Sequence, residues 1–142
     1  MDAFDTDVLI YAAAQREPEG IAVRQLFERA PGDEAGLPIG VGSTLLVPEI
    51  FIKPIRQQDD TEIRNLRRVI AQLVLYPCDA ATAELAMALG VRYGLKTVDA
   101  VHLATAVNAG ADRFITNNRK DFSKDIEEID ITYPEDLAAT SA

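Results

Sequence analysis

The sequence predicts an α/β fold, a three-layer α/β/α sandwich with a central parallel sheet of about five strands between two layers of helices. Three observations predict it. Short β-rich runs alternate with stretches of helical periodicity along the chain. Start and stop residues punctuate the helical stretches. No repeat, low-complexity tract or long linker divides the 142 residues, so residues 1–142 are expected to form one domain.

The strand candidates are residues 3–6, 38–42, 73–76, 113–116 and 129–131. Between the first two, Ala22, Leu26, Phe27 and Ala30 recur at helical spacing; Ile63, Leu66 and Ile70 do the same before the third. Asp59 with Glu62 has the form of a capping box. Asp79 reads as an N-cap and Gly94 as the residue that ends the same helix. Thr97, read as an N-cap, and Gly110 bracket another helix, which carries Val98, Val101, Leu103, Ala104 and Val107. Strands alternating with helices imply right-handed crossovers and a sheet covered on both faces, with ligands bound beyond the carboxyl ends of the strands.

Composition bounds the function. With 48% apolar and 26% charged residues the chain reads as a soluble globular protein, and no apolar run reaches the length of a membrane span. The first acidic motif follows Met1 closely and leaves no room for a secretory leader, so a cytoplasmic location is expected. The one cysteine, Cys78, has no paired spacing and reads as a small buried apolar residue. A net charge of −9 argues at first against a nucleic-acid partner, but acids gathered in one pocket would be neutralised by cations. The bases are also uneven: Lys53, Arg56, Arg64, Arg67 and Arg68 form one group, and Arg119, Lys120 and Lys124 another. Each group is more often a solvated helix face than a phosphate track, so the charge balance leaves the partner undecided.

The chemistry lies in acids that follow strands. Asp5 closes the first strand candidate, and Asp7 stands at the mouth of the next helix, where capping alone would explain it. Asp5 is harder to explain, because an acid ending a buried strand is costly to desolvate unless something positive meets it. Glu49 is the only acid in the apolar stretch from Gly42 to Ile50, where Ser43 and Thr44 read as helix caps. Asp99 falls in a first helical turn, which favours an anion. His102, one turn on, reads as a hydrogen-bonded structural residue. Thr116, Asn118 and Asp121 form a polar group at the end of a further strand, which a turn could also produce. Each residue alone has such an ordinary explanation; their common placement is the stronger signal. Asp5, Glu49, Asp99 and Asp121 converging without cations would raise some of their pKa values, and hard divalent cations such as Mg²⁺ or Mn²⁺ remove the conflict.

These segments, in this order, resemble the PIN-domain family, and especially its VapC-type toxins. The matching residues are Phe4 to Tyr11, Ser43 to Glu49, Asp99 to Ala104 and Thr116 to Phe122. By that match Asp5, Glu49, Asp99 and Asp121 take the family's acidic positions, Thr6 and Thr116 its small hydroxyl positions, and Asn118 a polar one. Asp7 departs from the asparagine common there and adds a negative charge. The resemblance implies a PIN-like sheet, RNA as substrate, inhibition by a cognate antitoxin, the toxin role in a toxin–antitoxin pair, and frequent homodimers.

The mechanism expected is metal-dependent hydrolysis of RNA phosphodiester bonds, with Mg²⁺ as cofactor and Mn²⁺ able to substitute. Asp5 and Asp99 would be the principal metal ligands. Glu49 and Asp121 would ligate through water or orient the nucleophile, with Thr6, Thr116 and Asn118 in support. One rival is a haloacid-dehalogenase-like phosphatase using Asp5 and Asp7; it lacks a Gly-Thr after that pair and a late lysine with paired acids. The other is a non-catalytic PIN-like RNA-binding module.

Overall fold

The computed structural model describes residues 1–14, 18–28 and 36–140. Along the chain the elements are β1 (Asp2–Phe4), α1 (Thr6–Ala14), α2 (Glu19–Phe27), β2 (Gly40–Ser43), α3 (Leu46–Arg56) and α4 (Asp60–Ile70). β3 (Leu73–Tyr76), α5 (Ala80–Tyr93), α6 (Thr97–Asn108), β4 (Arg113–Ile115), β5 (Asp130–Thr132) and α7 (Pro134–Thr140) follow. All five strands are parallel, in the order β3-β2-β1-β4-β5. Phe27 ends α2; Ala30, read in the sequence as continuing that helix, lies outside the described residues.

Side chains alternate across the strands and build a core on each face. Ala3, Val41, Phe114 and Ile131 meet α5 and α6 through residues such as Leu89, Leu103 and Ala104. Phe4 and Ile115 face the other way, onto α1, α3 and α4 through Val8, Leu9, Ile50 and Leu66. Phe4, Phe114 and Phe122 are fully buried, each contributing about 1.5–3 kcal/mol of apolar transfer. β2 is buried at all four positions, and its first residue has to be small. A Cβ on Gly40 would lie 2.5 Å from the Asp2 carbonyl oxygen and 2.6 Å from the Phe4 ring.

Local signals fix the start of α4 and both ends of α5. Asp59 accepts from the Glu62 amide (3.1 Å) and Asp79 from the Thr82 amide (2.8 Å), each satisfying a first-turn N–H. Gly94 closes α5 in the left-handed region at φ +67°. Three expectations need correction. Thr97 is the first helical residue of α6 rather than its cap; extended Lys96 precedes it with no side-chain cap. Ser43 belongs to β2 and its hydroxyl accepts from the Leu45 amide, so it shapes the turn before α3, whose N-cap position is Leu45. Cys78 is exposed, because it follows β3 on the loop before α5. Helix α7 carries no strong periodicity; its signal is Pro134 at the start and Glu135 and Asp136 in the first turn.

The strand order positions the site. From β1 the chain steps through α1 and α2 to β2, and through α3 and α4 to β3, always in one direction across the sheet. From β3 it passes back over β2 and β1, through α5 and α6, to reach β4 and then β5. Right-handed crossovers in opposite directions place their helices on opposite faces. The order therefore reverses between β1 and β4, and a crevice opens beyond their carboxyl ends. Among the described residues no helix is long and apolar enough to cross a membrane.

Candidate active site

The floor of the crevice is Asp5, the first residue after β1. Its amide donates to the Ile115 carbonyl oxygen (2.9 Å), which extends the β1–β4 ladder by one bond. Its carboxylate is held at both ends: Oδ1 accepts from the Thr6 amide and Oδ2 from the Thr116 hydroxyl, each at 2.8 Å. The Thr116 bond spans the crevice, since Thr116 follows β4. Asp5 is only 4% exposed. Burial pushes its carboxyl from the usual 3.8 up to about 7; the charge of Asp7 adds to the rise and that of Asp99 does so more weakly, against the two hydrogen bonds.

Asp7, in the first turn of α1, accepts from the Asn117 amide on both oxygens (3.3 and 3.2 Å). Burial raises its pKa as well, and the Asp99 charge adds to the rise, while hydrogen bonds from Asn117 and Val8 oppose it. The sequence left Asp7 between cap and site. It ties α1 to the strand end after β4 and places a second, half-buried carboxyl beside Asp5.

Asp99 approaches from α6. It is half-buried, and among the described residues no hydrogen-bond donor meets its carboxylate. Burial raises its pKa first and the Asp121 charge second; Glu49 adds to the rise, and His102 and Lys96 oppose it. Asp121 sits in the loop after β4, where its Oδ2 accepts from the Asn118 side-chain amide (3.0 Å) and its own amide donates to Asn118 Oδ1 (3.3 Å). Asn118 is fixed in turn by its amide on the Thr116 hydroxyl (3.0 Å).

Glu49, in the first turn of α3, reaches back across the crevice. Its Oε1 accepts from the Thr6 hydroxyl (2.7 Å) and from His102 Nε2 (2.5 Å). Its Oε2 has no hydrogen-bond partner among the described residues. His102 is hydrogen-bonded, as its sequence suggests, but its partner is one of the acids. Its side chain is almost fully buried, and Nδ1 has no partner among the described residues. The spacing of three between Asp99 and His102 was the available signal, since it puts both on one face of α6.

The structure thus brings Asp5, Asp7, Asp99, Glu49 and Asp121 to one edge of the sheet from four separate segments of the chain. The PIN domain family model matches residues 3–125, which include all of these residues. The chain belongs to the PIN-domain family.

No curated protein matches the sequence closely enough to count as a relative. Among solved structures, the PIN chain is similar to a toxin–antitoxin complex from Klebsiella pneumoniae, at 27% identity and a TM-score of 0.70. The match covers 94% of this chain and 98% of that one. Membership of a family made up generally of nucleases removes the phosphatase reading of Asp5 and Asp7.

Whether this PIN site suits a cation depends on its donors. Among the described residues, no group of three or more His, Cys, Asp or Glu side chains is arranged to hold a metal ion by itself. A small hard cation does not need one. Mg²⁺ is commonly held by one or two carboxylates, with water completing an octahedron. Asp5 and Asp99 offer hard oxygens, Asp99 meets no competing donor among the described residues, and burial first and acidic neighbours second disfavour both as lone anions. The residues fit a divalent cation held largely through water.

Proposed function

We propose that this PIN domain is a divalent-cation-dependent endoribonuclease, the toxin of a VapC-type toxin–antitoxin pair, acting on RNA in the cytoplasm. The observation that carries the reading is the buried Asp5 carboxyl at the strand-order reversal, raised to about 7 by burial and by its acidic neighbours. Such a group is poorly placed as a lone anion and well placed beside a cation.

Asp5 and Asp99 are the principal ligands in this reading. Glu49, through its Oε2, and Asp121 act through water, either completing the cation's shell or orienting the attacking water. Bound there, Mg²⁺, or Mn²⁺ in its place, would lower the pKa of a water and screen the phosphoryl oxygens. Thr116 holds Asp5 to the crevice floor, Thr6 holds Glu49, and Asn118 sets the rotamer of Asp121. Residues 1–142 act as one PIN domain, and the reading includes a homodimer. The similarity to a toxin–antitoxin complex supports an antitoxin partner.

The test is incubation with a diverse RNA pool under Mg²⁺, Mn²⁺ or chelator, followed by mapping of the new ends. Discrete ends are expected with either cation and none with chelator. Asp5→Asn and Asp99→Asn should each cut at least about 100-fold more slowly while melting as folded proteins, a loss of transition-state stabilisation near 3 kcal/mol. Unchanged cleavage in chelator would remove the cation from the reaction. No cleavage of any RNA under any cation would leave a non-catalytic binding module.

A further inference from the structure

A chain with net charge −9 that handles a polyanion must concentrate its free positive charge somewhere. Outside α3 and α4, several cations are already paired. Arg92 meets Glu127 and Glu128, Arg113 meets Asp2, Arg119 meets Glu135, and Lys124 meets Asp136. The second basic group of the sequence is thereby largely neutralised by α7. Lys53 and Arg56, in the last turns of α3, are exposed and have no acidic partner among the described residues.

Their place on α3 matters. Leu46, Ile50 and Pro54 form its buried face. Glu49, Lys53 and Arg56, at spacings of four and three, fall on one stripe beside that face. Glu49 is fixed in the crevice by Thr6 and His102, so the stripe starts at the site and runs outward along the helix. Helical rise puts Lys53 about 6 Å and Arg56 about 10 Å beyond Glu49. About 4.5 Å of helix axis then separates the two cations.

We infer that Lys53 and Arg56 form a phosphate track that receives the backbone of single-stranded RNA on one side of the scissile bond. The inference rests on the nuclease reading and adds the path of the substrate to it. The contacts are to phosphates, so the track positions the strand without reading its sequence. The structure supplies a matched control. Arg67 and Arg68 are also exposed and without an acidic partner among the described residues, but they end α4 just before β3 begins, at the amino edge of the sheet opposite the site.

The experiment compares Lys53→Gln/Arg56→Gln with Arg67→Gln/Arg68→Gln, which change the net charge equally. Binding of a fluorescein-labelled single-stranded oligoribonucleotide is measured in an Asp5→Asn background with Mg²⁺, across a range of KCl. Cleavage is measured in parallel in the otherwise unmodified chain. The α3 pair should weaken binding roughly tenfold at low salt and reduce the slope of log K against log salt by about 1.4, or about 0.7 per lost contact. Each single α3 variant should remove about half of that slope. The α4 pair should leave affinity and slope at the parent values. Equal losses from both pairs, or no loss from the α3 pair, overturn the track. A chain that cuts RNA while its α3 pair keeps parental affinity and slope removes the track and keeps the nuclease. A chain that cuts nothing yet binds through Lys53 and Arg56 keeps the track and removes the nuclease.

Discussion

His102 Nε2 lies 2.5 Å from Glu49 Oε1, joining α6 to α3 across the crevice and directing the only acid of α3 into the site. A carboxylate only accepts hydrogen bonds, so Nε2 carries the proton and donates. The same oxygen accepts from Thr6, and the two donors together set the rotamer of Glu49.

His102→Ala should therefore lower cleavage about 10–100-fold, the range for loss of a supporting partner around a metal site. It should also cost about 1–3 kcal/mol in stability, because a buried ring is lost. His102→Gln keeps a donor near the Nε2 position and should recover most of the activity. Asp99→Asn should be the more severe change. Measured rates that are equally low for Ala and Gln would assign His102 to packing alone.

The Asp5 carboxyl makes stability depend on pH in a definite direction. Its folded pKa of about 7 lies above the usual 3.8, so between these values the folded state holds a proton that the unfolded state has released. Stability in chelator should fall as pH rises from about 4 to about 7 and level off above, a loss of a few kcal/mol. Asp7 and Asp99, also raised, act in the same sense. Urea unfolding at pH 5 and pH 8 measures it. Millimolar Mn²⁺ should restore stability at pH 8, since cation binding favours the folded, ionised site. A melting curve that Mn²⁺ leaves in place would argue against a shared cation site.

Asp7→Asn separates charge from hydrogen bonding. An asparagine oxygen can still accept from the Asn117 amide, but the charge next to Asp5 is gone. Metal-free stability at pH 8 should rise by about 1 kcal/mol, and the pH dependence from Asp5 should flatten. Cation affinity, read from the midpoint of the Mn²⁺-induced melting shift, should weaken several-fold. Unchanged affinity would place Asp7 outside the cation's field and leave it as the tie between α1 and the β4 strand end.

An antitoxin that silences this site should do so with a cation of its own. An arginine can pair bidentately with carboxylates such as Asp99, which has no protein donor of its own among the described residues. Replacing the inserted base should restore RNase activity more than it weakens the complex, because apolar contacts beside it supply most of the affinity. A complex that stays silent after every Arg and Lys of the partner's binding segment is replaced would locate inhibition in steric cover.

How much of this was legible in advance depended on how local each cause is. Asp79 and Gly94 could be read as the ends of α5 because capping and a left-handed turn involve neighbouring residues. The alternation of strands and helices announced the parallel sheet for the same reason. The acids after β1 and β4 could be placed at strand ends, and so at one edge of the sheet. Cys78 shows the limit, since nothing near it in sequence tells a buried thiol from one on the loop leaving β3. The strand order is not local at all. Only the packed sheet decides that β4 lies beside β1, and so that Thr116 bonds Asp5 from 111 residues away. Only the opposed faces of α3 and α6 decide that Glu49 meets His102 across 53 residues. By itself the sequence offered candidate acids and placed them after strands or at helix starts. Packing decided which of them meet, because handed crossovers and two buried faces leave few ways to close the sheet, and no single segment records the choice.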